Sequence, residues 1–256
     1  MKTDPFDLSG KVALVTGSSS GFGLAFATAL AERGASVAGL ARRSQAETKK
    51  AVEAAGGHFF EIKADLAVPA SADEAVARTV EAFGRLDILV NNAGKITRSP
   101  AEQTTDEDWA EVIDLDLSVL FRLSRAAAKV FLSQSAEGHR GKIINIASVL
   151  SFQGGILVPA YAAAKHGVLG LTRALANEWA AKGINVNAIA PGYFETEMTK
   201  ALREDPVRSA SILGRIPAGR FGKAEDLKGA LVFLASSASD YMHGEAITVD
   251  GGWLSR

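Results

Sequence analysis

Three side chains in one stretch could move a proton. Ser148 closes an apolar run, Lys142 to Ala147, and is followed by a Gly154-Gly155 loop, Tyr161 and Lys165. From Val158 to Lys182 apolar and small residues recur at helical spacing, which predicts one helix carrying both Tyr161 and Lys165. At i, i+4 the two side chains share a face. A free tyrosine titrates at about 10 and is a poor acid or base at neutral pH. A neighbouring ammonium stabilises the phenolate and lowers that value toward the range acid–base catalysis needs. A strand end delivering Ser148 to the same place would let its hydroxyl hold a carbonyl or alcohol oxygen while Tyr161 gives or takes the proton. The spacing also suits a surface pair on an amphipathic helix, so the rest of the chain decides.

Near the N-terminus a β-branched run, Lys11 to Thr16, meets Gly17-Ser-Ser-Ser-Gly21-Phe-Gly23 and then an Ala- and Leu-rich stretch, Leu24 to Arg33. This reads as strand, glycine turn, helix. Glycines let a backbone approach a phosphate, and the helix N-terminus offers free N–H groups to it. The spacing is Gly-x-x-x-Gly-x-Gly, not Gly-x-Gly-x-x-Gly, and a ligand-free turn is the alternative. The next strand, Ser36 to Leu40, ends in Ala41-Arg42-Arg43. An acidic residue there would take ribose hydroxyls, whereas Arg accommodates a 2′-phosphate, so Arg42 favours NADP(H) over NAD(H). Solvated arginines opening a helix are the competing reading.

The elements that position these groups alternate along the chain. Helix Ser44 to Ala55 leads to strand His58 to Lys63, and helix Ser71 to Phe83 to strand Leu86 to Val90. One long helix, Thr105 to Ser133, precedes the strand before Ser148; the Tyr161/Lys165 helix precedes strand Ile184 to Ile189; helix Lys223 to Ala238 precedes strand Ala246 to Val249. Seven strands with helical crossovers predict one doubly wound α/β domain, a parallel sheet flanked by helices on both faces. Gly17, Asp65, Asn92, Ser148 and Pro191 all fall at strand ends, the edge where open α/β sheets bind ligands.

Composition narrows the classes. The 256 residues are 47% hydrophobic and 22% charged, with net charge −1, so neither a nucleic-acid footprint nor a basic membrane surface is expected. No apolar run reaches about 18 residues and the first residues lack a signal-peptide core, so no membrane span and a cytoplasmic location are expected. There is no cysteine, hence no disulfide. His139, His166 and His243 lack metal-ligand spacing, and no metal is expected.

With these residues in place, the chain resembles the short-chain dehydrogenase/reductase family from end to end: Thr16-Gly-x-x-x-Gly-x-Gly23, Asn91-Asn-Ala-Gly94, Ser148, Tyr161-x-x-x-Lys165 and Pro191-Gly192 occur in order. The resemblance implies a Rossmann-type NAD(P)-binding catalytic domain over residues 1–256, usually assembled as a homotetramer. It further implies hydride transfer between a nicotinamide cofactor and a small-molecule carbonyl/alcohol pair. Tyr161 would be the acid/base, Lys165 would lower its pKa and hold the nicotinamide ribose, and Ser148 would orient the substrate oxygen. Gly17, Ser19, Ser20 and Phe22 would line the pyrophosphate turn. Asp65 and Leu66 would flank adenine, Asn92 the ribose, and Phe194 and Thr196 the carboxamide side. The C-terminal half, including Arg215-Ile-Pro-Ala-Gly-Arg220 and Val249-Asp-Gly-Gly-Trp253, is similar to the branch of 2-deoxy-D-gluconate 3-dehydrogenases and 2-dehydro-3-deoxy-D-gluconate 5-dehydrogenases, which implies a sugar-acid substrate.

Three departures stand out. Phe22 replaces the usual Ile of the turn. Leu157 stands where related chains often carry Arg, leaving Arg98 as the candidate for a substrate carboxylate, a solvated loop Arg being the alternative. Asp116 occupies the position of a catalytic Asn, in Trp109-Ala-Glu-Val-Ile-Asp-Leu-Asp116-Leu117. Trp109, Ile113, Asp116 and Leu120 are expected on one helix face, with Asp116 inward and supporting a water relay to Lys165. A tolerated substitution with lower activity is the plainer reading. Competing functions are reduction of a 3-oxoacyl thioester or an alginate-derived uronate, or cofactor sensing with impaired catalysis.

Overall fold

The structure is a computed structural model that describes residues 4–134 and 140–256, so His139 lies outside the described residues. Seven parallel strands form one sheet in the order β3-β2-β1-β4-β5-β6-β7. They are β1 Val12–Thr16, β2 Ser36–Ala41, β3 Phe59–Lys63, β4 Ile88–Asn91, β5 Gly141–Ile146, β6 Ile184–Pro191 and β7 Ala246–Val249. β1, β4, β5 and β6 are buried along their whole length. Near-continuous Val/Ile/Leu/Ala runs are what strands covered on both faces require.

The helices are α1 Gly21–Ala31, α2 Ala46–Ala54, α3 Ser71–Phe83, α4 Asp106–Ile113, α5 Val119–Ser133, α6 Pro159–Trp179, α7 Lys200–Glu204, α8 Pro206–Leu213 and α9 Lys228–Ala235. One core packs Phe26, Leu30, Leu231 and Leu234 of α1 and α9 against Val15, Val90 and Ile144. The other packs Val76, Leu123, Phe131 and Trp179 of α3, α5 and α6 against Leu14, Leu89, Ile143 and Val186. Side chains alternate between sheet faces, so consecutive strand residues feed opposite cores. The strand order reverses between β1 and β4, and there the connections diverge to opposite sides and open a crevice. Among the described residues no helix is long and apolar enough to cross a membrane.

Three expectations need correction. The helix expected over Thr105–Ser133 is interrupted by a π-turn at Asp114–Ser118, and the stretch expected as Lys223–Ala238 is helical only over Lys228–Ala235, with 3₁₀ turns on either side. Trp109 does not share the inward face: it is 44% exposed, whereas Asp116 and Leu120 are buried. A π-turn inserts a residue and rotates α5 relative to α4, so the 3.6-residue phase from Trp109 does not carry through.

Candidate active site

β1 ends at Thr16, and the chain turns at Gly17 with φ 67° before α1 begins. A Cβ at Gly17 would lie 2.9 Å from Asn92 Nδ2, and one at Gly23 would collide with the Gly17 carbonyl. The turn is therefore built without side chains on its inner surface. The N-cap residue of α1, Ser20, makes no side-chain capping bond, which leaves the first N–H groups of α1 available. A bare glycine cradle beneath uncapped amides suits a pyrophosphate.

Asn92 locks the cradle to the next strand. Its Nδ2 donates to Thr16 O at 2.8 Å, and Thr16 Oγ1 accepts from the N–H groups of Asn92 and Ala93, both at 2.9 Å. Gln45, which the sequence does not single out, supports the far side. It is fully buried, accepts from the Ser18 hydroxyl, and donates from Nε2 to Gly39 O and Ile62 O at 3.1 and 3.2 Å. A buried Gln with three partners is a structural pin, and nothing in its local sequence marks it.

The cleft encloses about 900 Å³ above the strand ends, lined at one end by Arg42, Arg43, Asp65 and Leu66 and at the other by Ser148, Tyr161 and Lys165. Arg42 pairs with Asp65 at 3.7 Å. Arg43, beside it, donates to Ser20 Oγ at 3.3 Å and so leans over the glycine turn. Both guanidiniums border the space that an adenosine 2′-phosphate would need. Ser19, Phe22, Phe194 and Thr196 also line the cleft. Phe22 and Phe194 meet edge to face at 5.2 Å, so the larger ring at position 22 is accommodated by an aromatic contact across the cleft.

β5 delivers Ser148 and α6 delivers Tyr161 and Lys165. Ser148 Oγ accepts from Leu150 N at 3.1 Å, and Ser148 lines the cleft together with Tyr161. Lys165 donates to Ile146 O at 2.9 Å, and its Nζ lies 5.4 Å from the centre of the Tyr161 ring. The third group is Asp116. Its Oδ1 accepts from Lys95 N at 2.8 Å, and its Oδ2 forms a long ion pair with Lys165 Nζ at 3.4 Å. The Asp116 side chain is inaccessible and that of Lys165 only 6% accessible. The inward placement of Asp116 agrees with the expectation, but it contacts Lys165 directly.

The electrostatics differ from the simple expectation for Tyr161. Burial raises its phenol above the ordinary value and the Asp116 carboxylate adds to this, outweighing the downward pull of Lys165, Ser148 and Arg98. For Lys165, burial disfavours the ammonium, but Asp116 and Tyr161 more than offset it and hold the amine above its usual range. The pair is thus arranged to keep Lys165 charged.

Arg98 stands at the rim, outside the residues lining the cleft; its Nη2 donates to Met198 O at 2.8 Å. Leu157 has φ 66°, the one positive φ at a non-glycine position among the described residues, and its carbonyl accepts from Ser99 N at 3.0 Å. That conformation costs about 1–2 kcal/mol for an L side chain. His166 and His243 make local contacts with Ala162 O and Asn185.

A family model described as enoyl-(acyl carrier protein) reductase matches residues 17–254. The chain is 53% identical over 255 residues to the 2-dehydro-3-deoxy-D-gluconate 5-dehydrogenase of Escherichia coli, covering 98% of each chain. A protein from Agrobacterium tumefaciens solved with bound NADP superposes with TM-score 0.93 at 52% identity, covering 99% of this chain and 100% of that one. A gluconate 5-dehydrogenase from Burkholderia cenocepacia, in complex with NADP and tartrate, superposes with TM-score 0.92 at 38% identity, covering 99% and 98%.

Proposed function

The chain belongs to the short-chain dehydrogenase/reductase family, and we propose that it is an NADP(H)-preferring oxidoreductase acting on the carbonyl/alcohol of a sugar acid such as a keto-deoxy-gluconate. The observation that carries this reading is a single cleft with Ser148, Tyr161 and Lys165 at one end and Arg42 and Arg43 at the other. The relative from E. coli is named for a keto-deoxy-gluconate, and two solved relatives hold NADP.

When bound, NADP(H) supplies or accepts the hydride. Gly17, Ser19, Ser20 and Phe22 would hold its pyrophosphate, Arg42 with Arg43 its 2′-phosphate, Asp65 and Leu66 its adenine, Asn92 and Lys165 its ribose, and Phe194 and Thr196 its carboxamide side. The chain's own residues manage the oxygen. Ser148 donates a hydrogen bond to the substrate oxygen. In reduction Tyr161 gives that oxygen the phenolic proton, and in oxidation the phenolate takes it back. Lys165, fixed by Ile146 O and Asp116, stabilises the phenolate form. Arg98, close to Tyr161 at the rim, would meet the substrate carboxylate.

Residues 1–256 serve as one catalytic domain, in keeping with near-complete overlap with the relatives. The protein is placed in the cytoplasm, consistent with the absence of cysteine. It is read as a homotetramer, supported by an apolar face on α5 and α6 where Phe121 stands 39% exposed.

Initial rates with NADPH and NADH against keto-deoxy-aldonates, 5-keto-gluconate, a uronate-derived aldehyde and an acetoacetyl thioester test the reading. The expected result is fastest turnover of a sugar acid with NADPH, and an NADPH/NADH ratio of kcat/KM that collapses in R42A/R43A. Activity confined to the thioester would overturn the substrate, and equal rates with NADH would overturn the role of Arg42. Cofactor binding without any turnover would instead favour a sensor.

A further inference from the structure

Among the described residues five basic side chains line the cleft: Arg42, Arg43, Lys95, Lys165 and Arg203. Three of them pair with a carboxylate, Arg42 with Asp65, Lys95 with Glu111 and Lys165 with Asp116. Arg43 leans on the Ser20 hydroxyl. Arg203, on α7, is placed differently. It is half-buried, and its hydrogen bond among the described residues runs from Nη2 to Thr196 O at 3.4 Å, near the limit for such a bond. Its Nε is buried and has no hydrogen-bond partner, although Glu195 and Glu197 line the same wall. A buried donor on a charged group is costly to leave unmatched, so its acceptor is to be sought in what the cleft binds.

The segment after β6 decides which anion that is. Phe194 packs edge to face on Phe22 of the glycine turn, ring centres 5.2 Å apart, so the segment begins against that turn. The Thr199 hydroxyl donates back to Phe194 O, and α7 starts at the next residue, Lys200. The chain is thereby folded onto itself, and Arg203, one turn beyond Thr199, comes back to Thr196, two residues from Phe194. The glycine turn offers amides to an anion but no full charge: from Gly17 to Glu32 there is no Lys or Arg. We infer that Arg203 binds the cofactor's diphosphate from the covering segment, so that the anion meets the amides of the turn on one side and a guanidinium on the other. This rests on the dinucleotide part of the reading above and not on the sugar acid. A planar guanidinium matches two phosphate oxygens. The substrate's carboxylate is the other oxyanion that would enter the cleft, and the test tells the two apart.

The test measures Kd for NADPH and NADH without substrate, by the fluorescence of the reduced nicotinamide, in wild type, R203Q and R203K. R203Q keeps a donor for Thr196 O and loses the charge. It is expected to weaken both dinucleotides by the same factor, about 10- to 100-fold, because both carry the diphosphate. R42A/R43A, by contrast, should act on NADPH alone. R203K should regain part of the loss, and KM for a sugar acid at saturating NADPH should be unchanged in R203Q. If R203Q binds both dinucleotides like wild type, or R203K binds no better than R203Q, the charge has no part in binding and Arg203 is only a pin for the Thr196 carbonyl, which overturns the inference. A loss confined to NADPH would move Arg203 to the 2′-phosphate. A raised KM with unchanged cofactor affinity would move it to the substrate's carboxylate. Either result also overturns the diphosphate contact. Failure of the cofactor reading itself looks different, since wild type would then bind neither dinucleotide, and both readings would fall together.

Discussion

Asp116 places a negative charge against the lysine that assists Tyr161. Its carboxylate holds the Lys165 ammonium in its charged form, but the same charge disfavours the Tyr161 phenolate. The two effects separate in an Asp116→Asn variant, which keeps the size and the ability to accept from Lys95 N. Removing the charge removes an influence that raises Tyr161, so the phenol should titrate lower. In the oxidative direction, where phenolate is the active form, the acidic limb of the pH–rate profile should move to lower pH. A profile superimposable on wild type would mean that the charge on Asp116 has no influence on the base. That Asp116 faces inward is legible in the sequence, since it stands with apolar neighbours Ile113 and Leu120 at helical spacing. Its direct contact with Lys165 is not, because the π-turn over Asp114–Ser118 arises from packing and leaves no compositional mark. Nor does any local pattern mark Gln45 or pair Arg43 with Ser20: both depend on how β2, α2 and the glycine turn come together.

At the level of elements, the strands are legible because buried parallel strands demand apolar β-branched runs. The long helices are legible in position but not in continuity. α7 and α8 leave no clear pattern: they are short, mix polar with apolar residues, and owe their order to a cap at Asp205 and to Ile212 and Leu202 packing with Val149, Ile216 and Trp253. A second small device holds the cofactor side of that region. Phe194 bridges to Gly222, with Gly222 N donating to Tyr193 O at 2.9 Å and Glu195 N to Gly222 O at 2.8 Å. Two residues before Gly222, Arg220 forks onto Asp226 at 2.7 and 3.0 Å, and Lys223 N donates to the same carboxylate at 2.8 Å. The Arg220 side-chain bond, then the Lys223 amide, lower Asp226 to about 2. A depressed carboxyl stabilises the fold above its unfolded value of about 4 and loses that contribution as pH falls toward 2. The pair is solvent-screened, so Asp226→Asn should cost about 1 kcal/mol at neutral pH, visible as a lower urea midpoint. The difference from wild type should shrink as pH is taken from about 5 down to about 3. A constant difference across that range would assign the loss to packing and not to charge.

At the scale of the whole molecule, the outer face of α5 and α6 bears directly on catalysis, because α6 carries Tyr161 and Lys165. Leu117, Phe121, Gly167, Gly170 and Leu171 line a shallow depression there, with Arg122 and Arg125 at its edge. Arg125 lies 5.4 Å over the Phe121 ring, a contact that shields a large apolar side chain only on one side. A Cβ at Gly170 would meet nothing within 4 Å, and Gly170 is exposed. Small residues beside exposed aromatics let helices of two copies approach closely, and a two-fold axis through such a face buries the same patch twice. Assembly would then brace the back of α6 and hold the spacing of Tyr161, Lys165 and Asp116. Phe121→Glu places a charge at the centre of that patch and contacts neither cofactor nor substrate. In light scattering coupled to size exclusion its mass should fall below that of wild type, and kcat should fall with it as protein concentration is lowered. If Phe121→Glu keeps the wild-type mass, this face is not where copies meet, and the order of α6 derives from the protomer alone.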